Sequence, residues 1–247
     1  MKREIIQLGR HILIHGDASS DDVKQLLQSM PIQLVINDPP YGMNLNTKYS
    51  SMHFEKTANA KEFLRTTGAT MPKDYKPVIG DDKPFKMSDF DYLDAPEQLW
   101  FGADYYRKEL PEGGAFLVWD KRTTESMDKI FGSCFELIWS KKPHKRDIIR
   151  CVWAGLYGTQ YEDIKKRIHP TQKPTRLLAK LIDKFSNEGD TVVDMFGGSG
   201  STLIACEMTG RSCVTCEIDD HYCDVIRKRY WRFVNNGEDD GWQEGTR

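Results

Sequence analysis

Apolar residues along the chain form short runs between polar turns, and other stretches carry them at helical spacing. Seven runs predict buried strands, because Gly, Pro, Asp or Asn bound most of them. They are Ile12–His15, Gln33–Asn37, Ala115–Trp119, Cys134–Ser140, Arg150–Ala154, Thr191–Asp194 and Ser212–Glu217. Four helices are predicted, over Asp21–Ser29, Pro174–Phe185, Ser201–Met208 and Asp219–Val234. This alternation favours an α/β fold with a doubly wound, mostly parallel sheet of seven strands and helices on both faces.

Two stretches fall outside this alternation. Residues 43–96 are polar and rich in Thr, Lys, Asp and Pro, and loops longer than about 12–15 residues are usually functional or disordered. Residues 235–247 are polar and Gly-rich, which is typical of a frayed, flexible tail. We therefore predict a single domain over residues 1–247 with an insert at residues 43–96.

Composition excludes several protein classes. The apolar content of 39% and the charged content of 29% are ordinary for a globular protein. No apolar run approaches the length of about 18 residues that a membrane span needs, and residues 1–10 lack the apolar core of a secretory signal. Six cysteines are too few for a disulfide scaffold, so we expect reduced thiols and a cytoplasmic protein.

A zinc site is an alternative use of the cysteines. Cys213 and Cys216 have a suitable spacing, with Cys206, His221 and Cys223 nearby, but a closed zinc site needs four converging ligands. Cys213 and Cys216 fall on a predicted strand, where residues three apart point to opposite faces. We therefore predict no metal site.

Charge is unevenly distributed, although the net charge is only −2. Residues 141–176 contain ten Lys or Arg against three Asp or Glu, and residues 74–97 contain seven acidic against three basic residues. The basic stretch suits a bound polyanion. It suits a solvated surface equally well, so charge alone does not decide between them.

The first motif, Asp38-Pro39-Pro40-Tyr41, follows a predicted strand, and ligands of open α/β sheets bind at the carboxyl ends of strands. The prolines stiffen the loop and remove two N–H donors. The Asp38 carboxylate and the Pro39 carbonyl remain as acceptors for the two hydrogens of an amino group. Tyr41 offers a surface for base stacking, worth about 1–3 kcal/mol. Taken alone, the motif is equally consistent with a simple strand-ending turn.

The second motif leads from a strand into a helix and reads Asp194-Met195-Phe196-Gly197-Gly198-Ser199-Gly200-Ser201-Thr202. Glycines let the backbone approach a ligand, and a helix N-terminus offers free N–H groups. The motif is neither the dinucleotide pattern nor a P-loop. Glu217 ends the next strand, where an acidic residue can accept hydrogen bonds from both ribose hydroxyls.

Together with the segment His169-Pro170-Thr171-Gln172-Lys173-Pro174, these motifs resemble the S-adenosylmethionine-dependent DNA amino-methyltransferases. A tetrapeptide beginning with Asp is similar to that of the N6-adenine enzymes, whereas N4-cytosine enzymes more often begin with Ser. The tetrapeptide precedes the Gly-rich motif, which resembles the circularly permuted order of the β class. The resemblance covers most of the chain outside residues 43–97 and the tail.

The resemblance implies a Rossmann-like fold and S-adenosylmethionine as cofactor. Asp17 would reach the cofactor adenine, and Lys173 the methionine carboxylate with support from Thr171. The implied cofactor-binding set is Asp17, His169, Thr171, Lys173, Asp194, Phe196, Gly197, Gly198, Ser199, Gly200, Ser201, Thr202 and Glu217.

The resemblance also implies methylation of N6 of adenine in a specific double-stranded DNA sequence, by base flipping and in-line displacement. The implied catalytic residues are Asp38, Pro39, Pro40 and Tyr41, and the predicted DNA-backbone contacts are Lys141, Lys142, Lys145, Arg146 and Arg150. Sequence choice is expected from that region or from the insert. N4-cytosine methylation, RNA or protein methylation and a non-catalytic binding module stay open as alternatives. A homodimer and a cognate restriction endonuclease are candidate partnerships.

Overall fold

The computed structural model describes residues 3–48, 74–122, 124–125, 128, 133–153 and 167–246. Within these residues a single sheet contains nine strands. They are β1 (Glu4–Leu8), β2 (His11–His15), β3 (Leu34–Asn37), β4 (Glu97–Phe101), β5 (Ala115–Asp120), β6 (Phe135–Ser140), β7 (Asp147–Arg150), β8 (Thr191–Asp194) and β9 (Ser212–Glu217). The helices are α1 (Asp21–Gln28), α2 (Thr175–Phe185), α3 (Ser201–Met208), α4 (Asp220–Val234) and α5 (Trp242–Gly245), with a 3-10 turn at Met87–Asp89.

The strand order is β1-β2-β9-β8-β3-β4-β6-β5-β7. β2, β9, β8, β3 and β4 pair in parallel, as do β5 and β7, while β1 and β6 run antiparallel to their neighbours. The predicted α/β fold with a mostly parallel sheet is confirmed.

The prediction of seven strands was wrong, since nine strands are described. β1 and β4 are the additional ones. β4 was not predicted because it begins with the polar residues Glu97 and Gln98. Both are buried in the structure, where their side chains are hydrogen-bonded. The strand predicted at Arg150–Ala154 lies earlier, at Asp147–Arg150; Ala154 falls outside the described residues. β7 is an edge strand, where charged residues such as Asp147 are tolerated.

Alternate residues of each central strand enter two hydrophobic cores, one on each face of the sheet. The first core lies under α2, α3 and α4, and the second lies under α1. Cys213 belongs to the first core and Cys216 to the second. As the strand argument predicts, the two thiols point to opposite faces of the sheet.

The segment predicted as an insert contributes to the second core. Phe85, Met87 and Leu93 are buried against the sheet face that α1 leaves uncovered. Residues 49–73 of this segment lie outside the described residues, but the flanking chain ends meet, because the Tyr75 N–H donates to the Thr47 carbonyl at 3.1 Å. The later part of residues 43–96 is therefore part of the domain core.

The C-terminal segment also differs from the predicted frayed tail. α5 packs against α4, with Gly245 against the ring of Trp231. The Arg227 guanidinium donates to the Thr246 carbonyl at 3.1 Å. Among the described residues, no helix is long and apolar enough to cross a membrane.

Candidate active site

The cavity that carries the candidate chemistry lies at the carboxyl ends of β3 and β8. The chain continues from β8 to β9 on one side and from β3 to β4 on the other, so this is a topological switch point of the sheet, where ligands of such folds bind. The cavity has a volume of about 410 Å³. All three sequence motifs line it, including Asp17, Asp38, Pro39, Pro40, Tyr41, His169, Thr171, Lys173, Asp194, Phe196, Gly197, Gly198, Ser199, Ser201, Thr202 and Glu217.

The tetrapeptide loop is anchored at both ends. On one side the buried Asn37 side chain accepts a hydrogen bond from the Met195 N–H at 3.0 Å, which ties β3 to the Gly-rich loop. On the other side the Asp81 carboxylate accepts from the N–H groups of Gly42, Met43 and Leu45 at 2.9, 3.1 and 2.8 Å. The loop that carries Asp38 is therefore held by groups from distant parts of the chain.

Asp38 lies in a cluster of alternating charges. The Lys173 ammonium donates to Asp38 Oδ1 at 2.6 Å and lies 3.2 Å from Glu136 Oε1. Lys121 lies 2.9 Å from the other oxygen of Glu136. The Tyr41 hydroxyl lies 2.6 Å from Asp38 Oδ1 and 2.8 Å from Glu136 Oε1. Two carboxylates and two ammonium groups thus neutralise one another around one phenol.

Burial and charge act differently on these groups. Burial raises the pKa of Asp38, and the Glu136 charge adds to the rise against the effect of Lys173. For Glu136, burial alone would raise the pKa, but Lys173 and Lys121 outweigh it and lower the pKa to about 2. Burial would likewise lower the pKa of Lys173, yet Asp38 and Glu136 raise it. Lys173 therefore stays charged inside the cavity.

Aromatic rings support Tyr41. The Tyr105 ring stacks on it with centroids 4.9 Å apart and planes 7° apart, and Tyr106 lies 6.4 Å away. Phe85 and Phe90 pack against Phe196 of the Gly-rich loop with centroids 5.9 and 4.8 Å apart. The cavity therefore combines polar groups at the strand ends with flat apolar walls, the composition usual for a ligand site.

The Gly-rich loop turns tightly between β8 and α3. Gly197 donates its N–H to the Cys216 carbonyl at 2.7 Å, and a Cβ there would lie 2.7 Å from the Thr215 hydroxyl, so a larger residue does not fit. Gly200 has φ of 75° and caps α3, a backbone conformation that favours glycine. Of the predicted cofactor set, Gly200 alone does not line the cavity.

Glu217 faces this loop from the end of β9. Its carboxylate accepts from the N–H groups of Gly198, Ile218 and Asp219 at 2.6, 2.9 and 2.8 Å. Burial raises the pKa of Glu217 to about 7 and that of Asp194 to about 6. Both carboxyl groups therefore titrate near neutral pH.

The remaining predicted residues close the cavity. Burial lowers the pKa of His169 to about 3, so the ring is neutral, and its Nδ1 lies 3.2 Å from the Thr171 N–H, which donates to it. The Asp17 carboxylate accepts from the Ser19 N–H at 2.8 Å. Lys173 lines the cavity as predicted, but its partners are Asp38 and Glu136 of the catalytic loop region.

Residues 118–228 match a family model described as DNA methylase, of the N6/N4 type. Over these residues the chain is similar to the N6/N4 DNA methylases. The matched region contains Glu136, Lys173, the Gly-rich loop and Glu217, while Asp38 precedes it in the chain.

Proteins similar to this chain include bacterial type II methyltransferases. The type II methyltransferase M.HinfI of Haemophilus influenzae is 37% identical over 94 residues, covering 36% of this chain and 26% of that protein. M.BamHI of Bacillus amyloliquefaciens is 36% identical over 78 residues, covering 32% of this chain and 18% of that protein. These matches span less than a third of the length of either relative.

Two solved structures are similar to parts of this chain. The complex of M1.HpyAVI with SAM has a TM-score of 0.47 and 19% identity, covering 88% of this chain and 97% of that one. The cytosine-N4-specific PvuII DNA methyltransferase has a TM-score of 0.48 and 17% identity, covering 92% and 93%.

The basic residues predicted to hold DNA do not line the cavity. Lys141 and Lys142 follow β6, and Lys145 and Arg146 precede β7, so all four lie at the amino edge of the parallel strands, opposite Asp38. Lys141 pairs there with Asp94 at 3.3 Å. Only Arg150 ends its strand at the carboxyl edge, where it pairs with Asp120 at 3.5 Å. Because β6 runs antiparallel to β5, Lys141 and Lys142 at its end lie at the amino edge of the parallel strands rather than at the carboxyl edge.

Three residues at or near the cavity were not predicted as site residues from the sequence: Glu136, Lys121 and Asp81. Glu136 is a lone carboxylate in an apolar strand, and that polar interruption was the one available signal. Its position depends on β6 running antiparallel, which brings the start of β6 to the carboxyl edge of β5. Lys121 and Asp81 carry no motif and are placed only by tertiary structure.

Proposed function

We propose that this protein transfers the methyl group of S-adenosylmethionine to the exocyclic amino group of a base in double-stranded DNA, and specifically to N6 of adenine. The observation that carries the proposal is that the Asp38–Tyr41 loop and the Gly-rich loop open into one cavity. The match of residues 118–228 to the N6/N4 DNA methylase model supports it. The relatives are type II methyltransferases by name, so we extend the proposal to methylation at a specific DNA sequence.

The donor set of the cavity fits the adenosyl cofactor. Glu217 uses three of about four carboxylate acceptor sites on backbone N–H groups, which leaves one for a ribose hydroxyl. Accepting from both hydroxyls, as the sequence suggests, would require one backbone bond to yield. The N-terminus of α3 offers N–H groups beside the Gly-rich turn, and Asp17 lines the same cavity within reach of a purine.

In this proposal the cofactor supplies an activated methyl group, and the protein supplies position. Asp38 and the Pro39 carbonyl accept the two amino hydrogens of a flipped-out base and direct the nitrogen lone pair toward the methyl group. Tyr41, backed by Tyr105, flanks the base. The prolines hold these acceptors still, so little reorganisation is needed when the base arrives.

A labelling experiment tests the proposal. The protein is incubated with unmethylated DNA and methyl-labelled S-adenosylmethionine, and the digested DNA is analysed for labelled nucleosides. We expect N6-methyladenine with the natural protein and none with Asp38→Ala. The variant should keep its cofactor affinity, because Asp38 lies outside the Gly-rich loop. Label in N4-methylcytosine would change the target base, and turnover by Asp38→Ala would refute the role of Asp38.

A further inference from the structure

Glu136 has no task in the reaction proposed above, although it lies in the same charge cluster as Asp38. Its side chain is only 10% exposed. A carboxylate held away from water is costly unless it is paired and hydrogen-bonded. Glu136 meets that condition through Lys121, Lys173 and Tyr41, and this set of partners indicates what it does.

Lys173 is bound to the carboxylate that the reaction needs as an acceptor. Its ammonium is 2.6 Å from Asp38 Oδ1, and it also lies 5.1 Å from the centre of the Phe101 ring. The side chain is only 10% exposed, so water cannot easily replace a lost partner. An amino group that binds Asp38 through Oδ1 must therefore displace Lys173, and leaving that buried charge unpaired is strongly unfavourable.

We infer that Glu136 is a positioning residue that takes over Lys173 when the target amino group engages Asp38. This role rests on the proposed function. Glu136 Oε1 already lies 3.2 Å from the ammonium, so a small movement completes the exchange and frees Asp38. Lys121 holds the other oxygen of Glu136 at 2.9 Å and fixes its orientation.

The Tyr41 hydroxyl is placed to follow the same exchange. It lies within hydrogen-bond distance of Asp38 Oδ1 and of Glu136 Oε1, but a phenol carries one hydrogen and donates to one acceptor at a time. When Lys173 moves toward Glu136, the hydroxyl hydrogen can turn toward Asp38. The cluster therefore has two paired arrangements. In one the Lys173 ammonium lies on Asp38 Oδ1, and in the other it lies on Glu136 while the Tyr41 hydroxyl donates to Asp38, which is then relieved of the ammonium.

Substitutions at Glu136 separate its charge from its shape. Glu136→Gln keeps an oxygen that accepts from Tyr41 but removes the charge that receives Lys173, whereas Glu136→Asp keeps the charge. Single-turnover methylation is measured with saturating DNA and cofactor, alongside cofactor affinity. We expect Glu136→Gln to lose at least about 10-fold in rate with unchanged cofactor affinity, and Glu136→Asp to recover most of it. Glu112→Gln, at an exposed site distant from the cluster, is the matched control.

The double variant Glu136→Gln with Lys121→Met removes one charge of each sign and gives the same readout if the single variant does not fold. A Glu136→Gln rate equal to that of the natural protein would overturn the inference. So would Glu136→Asp being as slow as Glu136→Gln. Absence of DNA methylation by the natural protein would instead refute the proposed function, so the two failures are distinguishable.

Discussion

At the scale of single residues, two neighbouring carboxyl groups, Asp38 and Glu136, have pKa values that their surroundings shift in opposite directions. Burial raises the pKa of Asp38, whereas Lys173 and Lys121 overcome burial and lower the pKa of Glu136 to about 2. Glu136 therefore stays ionised at every pH at which methylation would be measured. Paired groups with divergent pKa values mark a division of tasks, and in the proposed reaction Glu136 holds a cation while Asp38 meets the substrate.

Glu217 gives a pH-dependent stability at the same scale. Burial raises its pKa to about 7 from an ordinary 4.5, so between these values the folded state binds more protons than the unfolded state. The free energy of unfolding of the ligand-free protein therefore falls as pH rises through this window, by about 1–3 kcal/mol from this group. Denaturant unfolding at pH 5 and pH 8 measures the difference.

Glu217→Gln should reduce that difference, because the amide does not titrate. A smaller fall should persist, since Asp194, whose pKa burial raises to about 6, contributes with the same sign. Glu112→Gln, the same substitution at an exposed position, is the control. An identical pH 5 to pH 8 difference in the natural protein and in Glu217→Gln would show that Glu217 does not titrate in this range.

At the scale of elements, the segment at residues 74–96 has two functions, because it covers the second core and also holds the catalytic loop. The Asp81 carboxylate accepts three N–H groups of residues 42–45. A segment that reads as a polar insert is thus coupled to the position of Tyr41. If this segment moves when DNA binds, the Asp81 hydrogen bonds would shift the tetrapeptide backbone with it.

Asp81→Ala is expected to leave those three donors without their acceptor and to loosen the loop. Because small displacements at a reacting centre cost much rate, we expect methylation to slow by about 10- to 100-fold while cofactor affinity is kept. Asp82→Ala, at the exposed neighbouring position, is the control. Rate measurements in which both variants behave alike would argue against an anchoring role for Asp81.

The same scale explains what sequence could predict. The helices and the central strands were predicted closely, because their apolar periodicity reflects burial on one or both faces, and the three motifs converge because carboxyl ends of parallel strands share an edge. β4 was missed because Glu97 and Gln98 hide a buried strand behind polar side chains. Glu136 and the basic residues after β6 depend on strand direction, which no local pattern encodes.

At the scale of the whole molecule, exposed cations lie at both edges of the sheet. The cavity opens at the carboxyl edge, and the exposed Arg107 and Lys108 lie next to Tyr105 beside it. The exposed Lys142 and Lys145 emerge at the opposite edge. If the protein acts on duplex DNA as proposed, we expect the first pair of cations to contact it.

Charge reversal distinguishes the two edges. Arg107→Glu with Lys108→Glu should weaken DNA binding by about 10-fold or more and flatten its salt dependence, because fewer phosphate counterions are released. Lys142→Glu with Lys145→Glu makes the same change in net charge at the other edge and should have a much smaller effect. Binding titrations at several salt concentrations compare them. Equal losses of affinity from both pairs would indicate a long-range charge effect. A larger loss from Lys142→Glu with Lys145→Glu would support the DNA contacts predicted from sequence.

The hydrogen bond between Tyr75 and Thr47 has a consequence for protein engineering. It joins the two points between which residues 49–73 are inserted, so the rest of the domain is closed without them. The entropy of closing a loop grows slowly with its length, by about 0.6 kcal/mol for each doubling. We therefore expect that the chain between Thr47 and Tyr75 can be replaced by segments of other lengths while Asp38 and its neighbours keep their positions.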